Sequence, residues 1–110
     1  MRKFNIEDIP SSLIHQQVKR KALIKVGDCQ SNLQTVNKAW LEPGKGFRSH
    51  RHPDCEEFFY FLKGKGKMTV DKNDFSVKAG DCFLIERNEA HSLTNNSSSK
   101  LCFITIRILV

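Results

Sequence analysis

Proline is scarce in this chain, with three residues in 110, and no apolar run comes near the twenty or so residues of a membrane-spanning helix. The first ten residues, MRKFNIEDIP, lack the apolar centre of a secretory leader. A membrane protein is therefore excluded on this reading, and a cytoplasmic location is expected. Cysteine is present four times (Cys29, Cys55, Cys82 and Cys102), but no two form a C-x-x-C pair. That excludes a zinc knuckle or a thioredoxin-type redox motif, and reduced thiols are expected in such a compartment. Acidic residues are fewer than basic ones, 12 against 18, for a net charge of +6. The excess collects weakly at Lys19-Arg20-Lys21 and at Lys63, Lys65 and Lys67. No nucleic-acid motif accompanies either cluster, so both are read as solvated strand faces, with no nucleic-acid partner.

A helical period of useful length is missing as well. Alternation is what remains. From Val18 to Val26 the apolar residues Val18, Ala22, Ile24 and Val26 fall on even positions and lysines on odd ones, with Leu23 as the exception, which predicts a half-buried strand. Further strands are predicted over residues 33–42, 47–52, 57–62, 67–70, 74–78, 82–85, 91–95 and 101–110. Turn residues separate them, among them Pro43-Gly44-Lys45-Gly46, Pro53-Asp54 and Asp71-Lys72-Asn73. Residues 1–12 read as a lead-in and residues 13–110 as one all-β domain, a sandwich or barrel. Glu57–Leu62 is apolar on both faces, and Leu101–Val110 places Cys102, Ile104, Ile106, Ile108 and Val110 on one face. That is more apolar surface than one small sandwich covers, so a homodimer is expected.

One stretch concentrates the chemistry. In GKGFRSHRHPDCEEFFYFLKG, residues 44–64, His50 and His52 are two apart and share a strand face. Two imidazoles so spaced can reach one ion at about 2.0–2.2 Å. Glu57 follows the Pro53-Asp54 turn, which can return its carboxylate toward them. His91 opens a later strand and could supply a fourth ligand. His15 stands outside this constellation and reads as a surface residue.

The spacing Gly44-x5-His50-x-His52-x4-Glu57-x6-Gly64 resembles the first motif of the cupin superfamily. Gly80-x5-Glu86-x-Asn88-x2-His91-x3-Asn95 resembles the second at Gly80, His91 and Asn95, after a spacer of 15 residues, Lys65 to Ala79. The resemblance implies a single-domain jelly-roll (double-stranded β-helix) barrel. It also implies one divalent metal held by His50, His52, Glu57 and His91. The second motif departs from the family pattern at Glu86, where proline is usual, and at Asn88, where glycine is usual. Asparagine tolerates the left-handed backbone that the glycine would supply.

Three nitrogens and one carboxylate suit iron, manganese, nickel, copper or zinc and not calcium or magnesium. Strand alternation from His50 puts Arg48 on the ligand face, as an anchor for a carboxylate or phosphate or as a rim arginine that reaches water. Phe59 and Phe61 share the parity of Glu57 and form an apolar wall, as core or as substrate contact. Cys55 reads as a turn residue facing away, Trp40 as a packing or interface anchor, and Asn95 as structural. The expected function is a metal-dependent enzyme on a small organic molecule, by dioxygenase-type oxidation or by sugar or keto-acid isomerisation. A non-catalytic binding or sensing protein is the alternative.

Overall fold

Strands account for every regular element of the chain except one turn of 3-10 helix at Ile6–Asp8. The computed structural model describes residues 1–110. The strands are β1 Ser12–Ile14, β2 Val18–Ile24, β3 Leu33–Leu41, β4 Gly46–His50, β5 Cys55–Lys63, β6 Lys65–Val70, β7 Asn73–Lys78, β8 Cys82–Ile85, β9 His91–Thr94 and β10 Leu101–Leu109. They form an antiparallel sheet in the order β1-β2-β3-β10-β5-β8 and a smaller one in the order β4-β9-β6-β7. The two face each other as a jelly roll. All predicted strands are present, with ends that differ by a few residues.

The core lies between the sheets. Phe59, Phe61 and Phe103 come from the larger sheet and Met68, Val77 and Leu93 from the smaller one, all buried. The three phenylalanine rings have centroids 5.4 to 6.2 Å apart. Burial of each such side chain contributes about 1.5–3 kcal/mol before entropy is subtracted.

Two turns decide where the ligand-bearing strands run. Asp71 and Lys72, with φ of 46° and 73°, make the two-residue turn between β6 and β7, which leaves Asn73 in the strand. Asp71 also clasps the loop before β9: its N–H donates to the Ala90 carbonyl and its Oδ1 accepts from the Ala90 N–H, both at 2.9 Å. Gly64, at φ +93°, breaks β5 from β6. A Cβ there would lie 2.5 Å from the Lys100 carbonyl oxygen, so only glycine fits.

The apolar residues of β10 divide between the two faces of its sheet. Leu101 and Phe103 point into the core, whereas Cys102, Ile104 and Ile106 lie on the outer face of the larger sheet. There Ile106 neighbours Phe58, and Phe58 neighbours Leu84. Trp40 joins this face beside Cys102, half-buried, with Lys38 Nζ 5.6 Å from its ring centre.

Candidate metal centre

His50 ends β4 and His91 begins β9, and the two are paired directly across the smaller sheet. His52 sits in the loop after β4. Glu57 is the third residue of β5, on the larger sheet. The candidate centre therefore lies between the sheets. A β-bulge shapes it: Phe47 pairs with Leu93 and His50 with His91, so β4 carries one extra residue against β9. The second motif is tied to the first by its turn. Asn88 takes φ 68°, the left-handed conformation expected of it, and its N–H donates to the His52 carbonyl at 2.8 Å.

The ligand atoms of His50, His52, Glu57 and His91 all lie within 4.8 Å of one another. The imidazole centroids are 4.5 Å apart for His50–His91, 4.8 Å for His50–His52 and 5.5 Å for His52–His91. Two rings are oriented by the backbone. Nδ1 of His50 is 3.0 Å from the Arg48 carbonyl and Nδ1 of His91 is 3.0 Å from the Glu89 carbonyl. Each Nδ1–H donates there, which leaves Nε2 as the free lone pair.

Electrostatics keep the donors in ligating form. Burial pushes the His50 and His52 imidazoles below their ordinary value, so both favour the neutral state. Burial pushes the Glu57 carboxyl up, but nearby His91, Arg107 and His52 outweigh it and hold Glu57 below the ordinary carboxyl range. Its Oε1 is 3.4 Å from His91 Nε2 and its Oε2 is 3.4 Å from an Arg107 guanidinium nitrogen.

These residues fit a transition metal. Nε2 of His52 and Nε2 of His91 are buried and have no hydrogen-bond partner, an arrangement that costs free energy unless something accepts the lone pair. Donors about 2.0–2.2 Å from one ion stand at most about 4.4 Å apart, so the set need close by only a few tenths of an ångström.

A cavity of about 50 Å³ adjoins the centre, with His50 and Glu57 in its wall. Its apolar side includes Phe47, Phe59 and Phe103, and its polar side Arg20, Asn37, Thr105 and Arg107. Phe59 thus lies where the wall was expected. Phe61 does not: it is fully buried behind Phe59, packed on Phe103 and Phe83.

Two other expectations meet the structure differently. Arg48 is not on the ligand face but agrees with the rim reading: it is exposed and outside this cavity, because the β4 bulge reverses the alternation between Arg48 and His50. Cys55 does not face away from a turn. It opens β5, is 3% exposed, and shares the inner parity of Glu57. Its thiol is pushed up by burial, which makes it a packing residue more than a nucleophile.

His15, read as an isolated surface residue, belongs to the site's surroundings. It lies at the β1–β2 turn with φ 50° and lines the cavity, and its ring stacks on His50 with centroids 5.3 Å apart. Nothing local signals this contact across 35 positions. Arg20 and Arg107 carried a usable signal: each has the parity of its strand's core residues, Val18 on β2 and Phe103 on β10. Asn95, fully buried, is structural as expected. Its side-chain amide donates to the carbonyls of Leu41 and Ser99 and its Oδ1 accepts from Ser97.

Comparison with known proteins agrees with this architecture. A family model described as Cupin domain matches residues 39–107. An oxalate-binding protein of Thermotoga maritima is 33% identical over 70 residues, 64% of this chain and 58% of its own. Oxalate decarboxylase OxdC of Bacillus subtilis is 32% identical over 71 residues, 60% of this chain and 18% of its own. The chain thus spans little more than half of the first of these relatives and a fifth or less of the second. A crystal structure of a predicted oxalate decarboxylase from Thermotoga maritima superposes with a TM-score of 0.92 at 23% identity, over 99% of this chain and 100% of that one.

Proposed function

The chain belongs to the cupin family, and from that premise we propose that it is an enzyme that uses one divalent transition metal, held by His50, His52, Glu57 and His91, to act on a small organic molecule. The observation that carries this is the convergence of three imidazoles and one carboxylate within 4.8 Å, beside a cavity that His50 and Glu57 help to line. Iron, manganese, nickel, copper and zinc all match the donor set. Bound there, the ion would supply Lewis acidity or a redox centre. The chain's own residues do the rest. The Arg48 and Glu89 carbonyls aim two of the imidazoles, and Phe47 and Phe59 exclude water from one side of the cavity.

The cavity wall narrows the substrate. Its two arginines, Arg20 and Arg107, suit an acid better than a neutral sugar, so oxidation or cleavage of a small acid is favoured over sugar isomerisation. Two of the similar proteins carry oxalate in their names, which makes oxalate the first substrate to try. The second reading, binding without turnover, draws support from the wall itself. Apart from the proposed ligands and two arginines, His15 is its one side chain suited to proton transfer.

The test is metal analysis of protein purified without added metal, followed by incubation with oxalate under air. About one equivalent of a transition ion and consumption of oxalate support an enzyme. Stoichiometric binding without consumption supports the second reading. A chain that takes up no transition ion refutes the metal-dependent enzyme, and one that also fails to bind oxalate counts against both.

The outer face of the larger sheet serves, on the same proposal, as a homodimer interface. Leu84 is 55% exposed there, Tyr60 39% and Leu62 37%, beside Phe58, Ile104 and Ile106. Four free thiols fit a reducing, cytoplasmic setting.

A further inference from the structure

The cavity beside the metal centre is unbalanced in charge and in hydrogen bonding. Arg20 enters it from β2 and Arg107 from β10, so its wall carries two guanidinium groups and one carboxylate, Glu57. Arg20 is half-buried and makes no salt bridge or hydrogen bond within the protein, and its Nε is buried without a partner. Arg107 makes one long contact, 3.4 Å to Glu57, and its Nε is also buried without a partner. Asn37 Oδ1, on the same wall, is a third buried polar atom that nothing satisfies. Leaving the histidines aside, the wall has an excess of one positive charge, and a divalent ion would raise the excess to three.

Unpartnered buried donors are costly. They persist where a ligand or an ordered water completes them. The planar guanidinium matches a carboxylate with two parallel N–H···O bonds, which an ammonium cannot reproduce. Resting on the metal reading above, we infer that Arg20 and Arg107 form the anion anchor of this site. The substrate is a small organic carboxylate, with its charged end toward Arg20. Arg107 is shared between Glu57 and the ligand, whereas Arg20 is free for the ligand alone. Arg20 is therefore the residue on which discrimination between charged and neutral molecules depends.

The experiment titrates oxalate and its neutral diamide oxamide into the protein by calorimetry, with metal content measured on each sample. Oxalate should bind at least about tenfold more tightly than oxamide. Arg20→Gln should weaken oxalate by about ten- to a hundredfold, the range for loss of a charge-assisted pair, with metal content unchanged. Arg20→Lys should recover part of that loss. Oxalate binding within twofold of the native chain in a folded, metal-loaded Arg20→Gln protein would overturn the assignment. Equal affinity for oxalate and oxamide in the native chain would overturn it too, and decides the matter alone if the variant does not fold. A chain free of metal that still prefers oxalate to oxamide would uphold the anchor while refuting the metal reading.

Discussion

Oε1 of Glu57 lies 3.4 Å from Nε2 of His91, which is 34 residues further along the chain and on the opposite sheet. Both groups are buried or nearly so, and the other carboxylate oxygen faces Arg107. Nε2 carries the lone pair, so the two atoms face a common point without a hydrogen bond between them. The cation paired with Glu57 before any metal arrives is Arg107. Glu57→Gln keeps the shape and removes the charge, and it should destabilise the metal-free chain by about 1 kcal/mol, given that Arg107 is partly solvated. Urea unfolding measures this, and an unchanged midpoint would show that the ion pair contributes nothing.

His52→Ala removes one of the four proposed ligands from a loop while leaving both sheets intact. Metal content after purification should fall close to zero, and the circular dichroism of the β fold should persist. Metal retained at the native level would mean that the ligand set is wrong.

Metal should stabilise the native chain through mass action. At a hundredfold excess over its dissociation constant, one bound ion adds about 2.7 kcal/mol. For a domain of this size that is a rise of roughly 10 °C in melting temperature. Chelator should reverse it. The His52→Ala protein should show no such rise.

Acid should weaken the metal-free chain. His50 and His52 are held below their ordinary value of 6.5 and Glu57 below 4.5. Each group binds its proton more readily in the unfolded state, so each contributes stability that is fully present above the ordinary value and lost as pH falls through the lower folded one. Melting temperature should be level above about pH 6.5 and should fall below it, with a further decline below about pH 4.5. A melting temperature that rose on acidification from pH 7 to 5 would contradict the burial of these imidazoles.

The outer face of the larger sheet should associate. Light scattering during size exclusion is expected to give twice the 12.6 kDa chain mass. Leu84→Glu, a charge placed at an exposed outer position, should shift the protein to monomer without loss of metal. A native chain that elutes as a clean monomer would remove the dimer.

Much of the fold was legible in local pattern. The alternation from Val18 onward marks β2, the aromatic run marks β5, and Asp71-Lys72 marks a hairpin, because these signals depend on neighbours a few residues apart. His50, His52, Glu57 and His91 were legible as candidates by spacing. Arg48 was misplaced because alternation assumes an unbroken ladder, and the extra residue in β4 reverses it. Cys55 was misplaced because the strand begins before the turn residues suggest.

By itself the sequence determined that the chain is all-β, that it carries the paired motifs of a cupin, and which four side chains could meet at an ion. Those properties follow from residue type and short-range spacing. Only the tertiary structure decided what surrounds them. It stacks His15 on His50, turns Arg20 and Arg107 inward with no partner to neutralise Arg20, and leaves an apolar sheet face open to solvent. Those facts depend on strands far apart in the chain lying side by side, and on the inner face of a strand being defined by the sheet it joins.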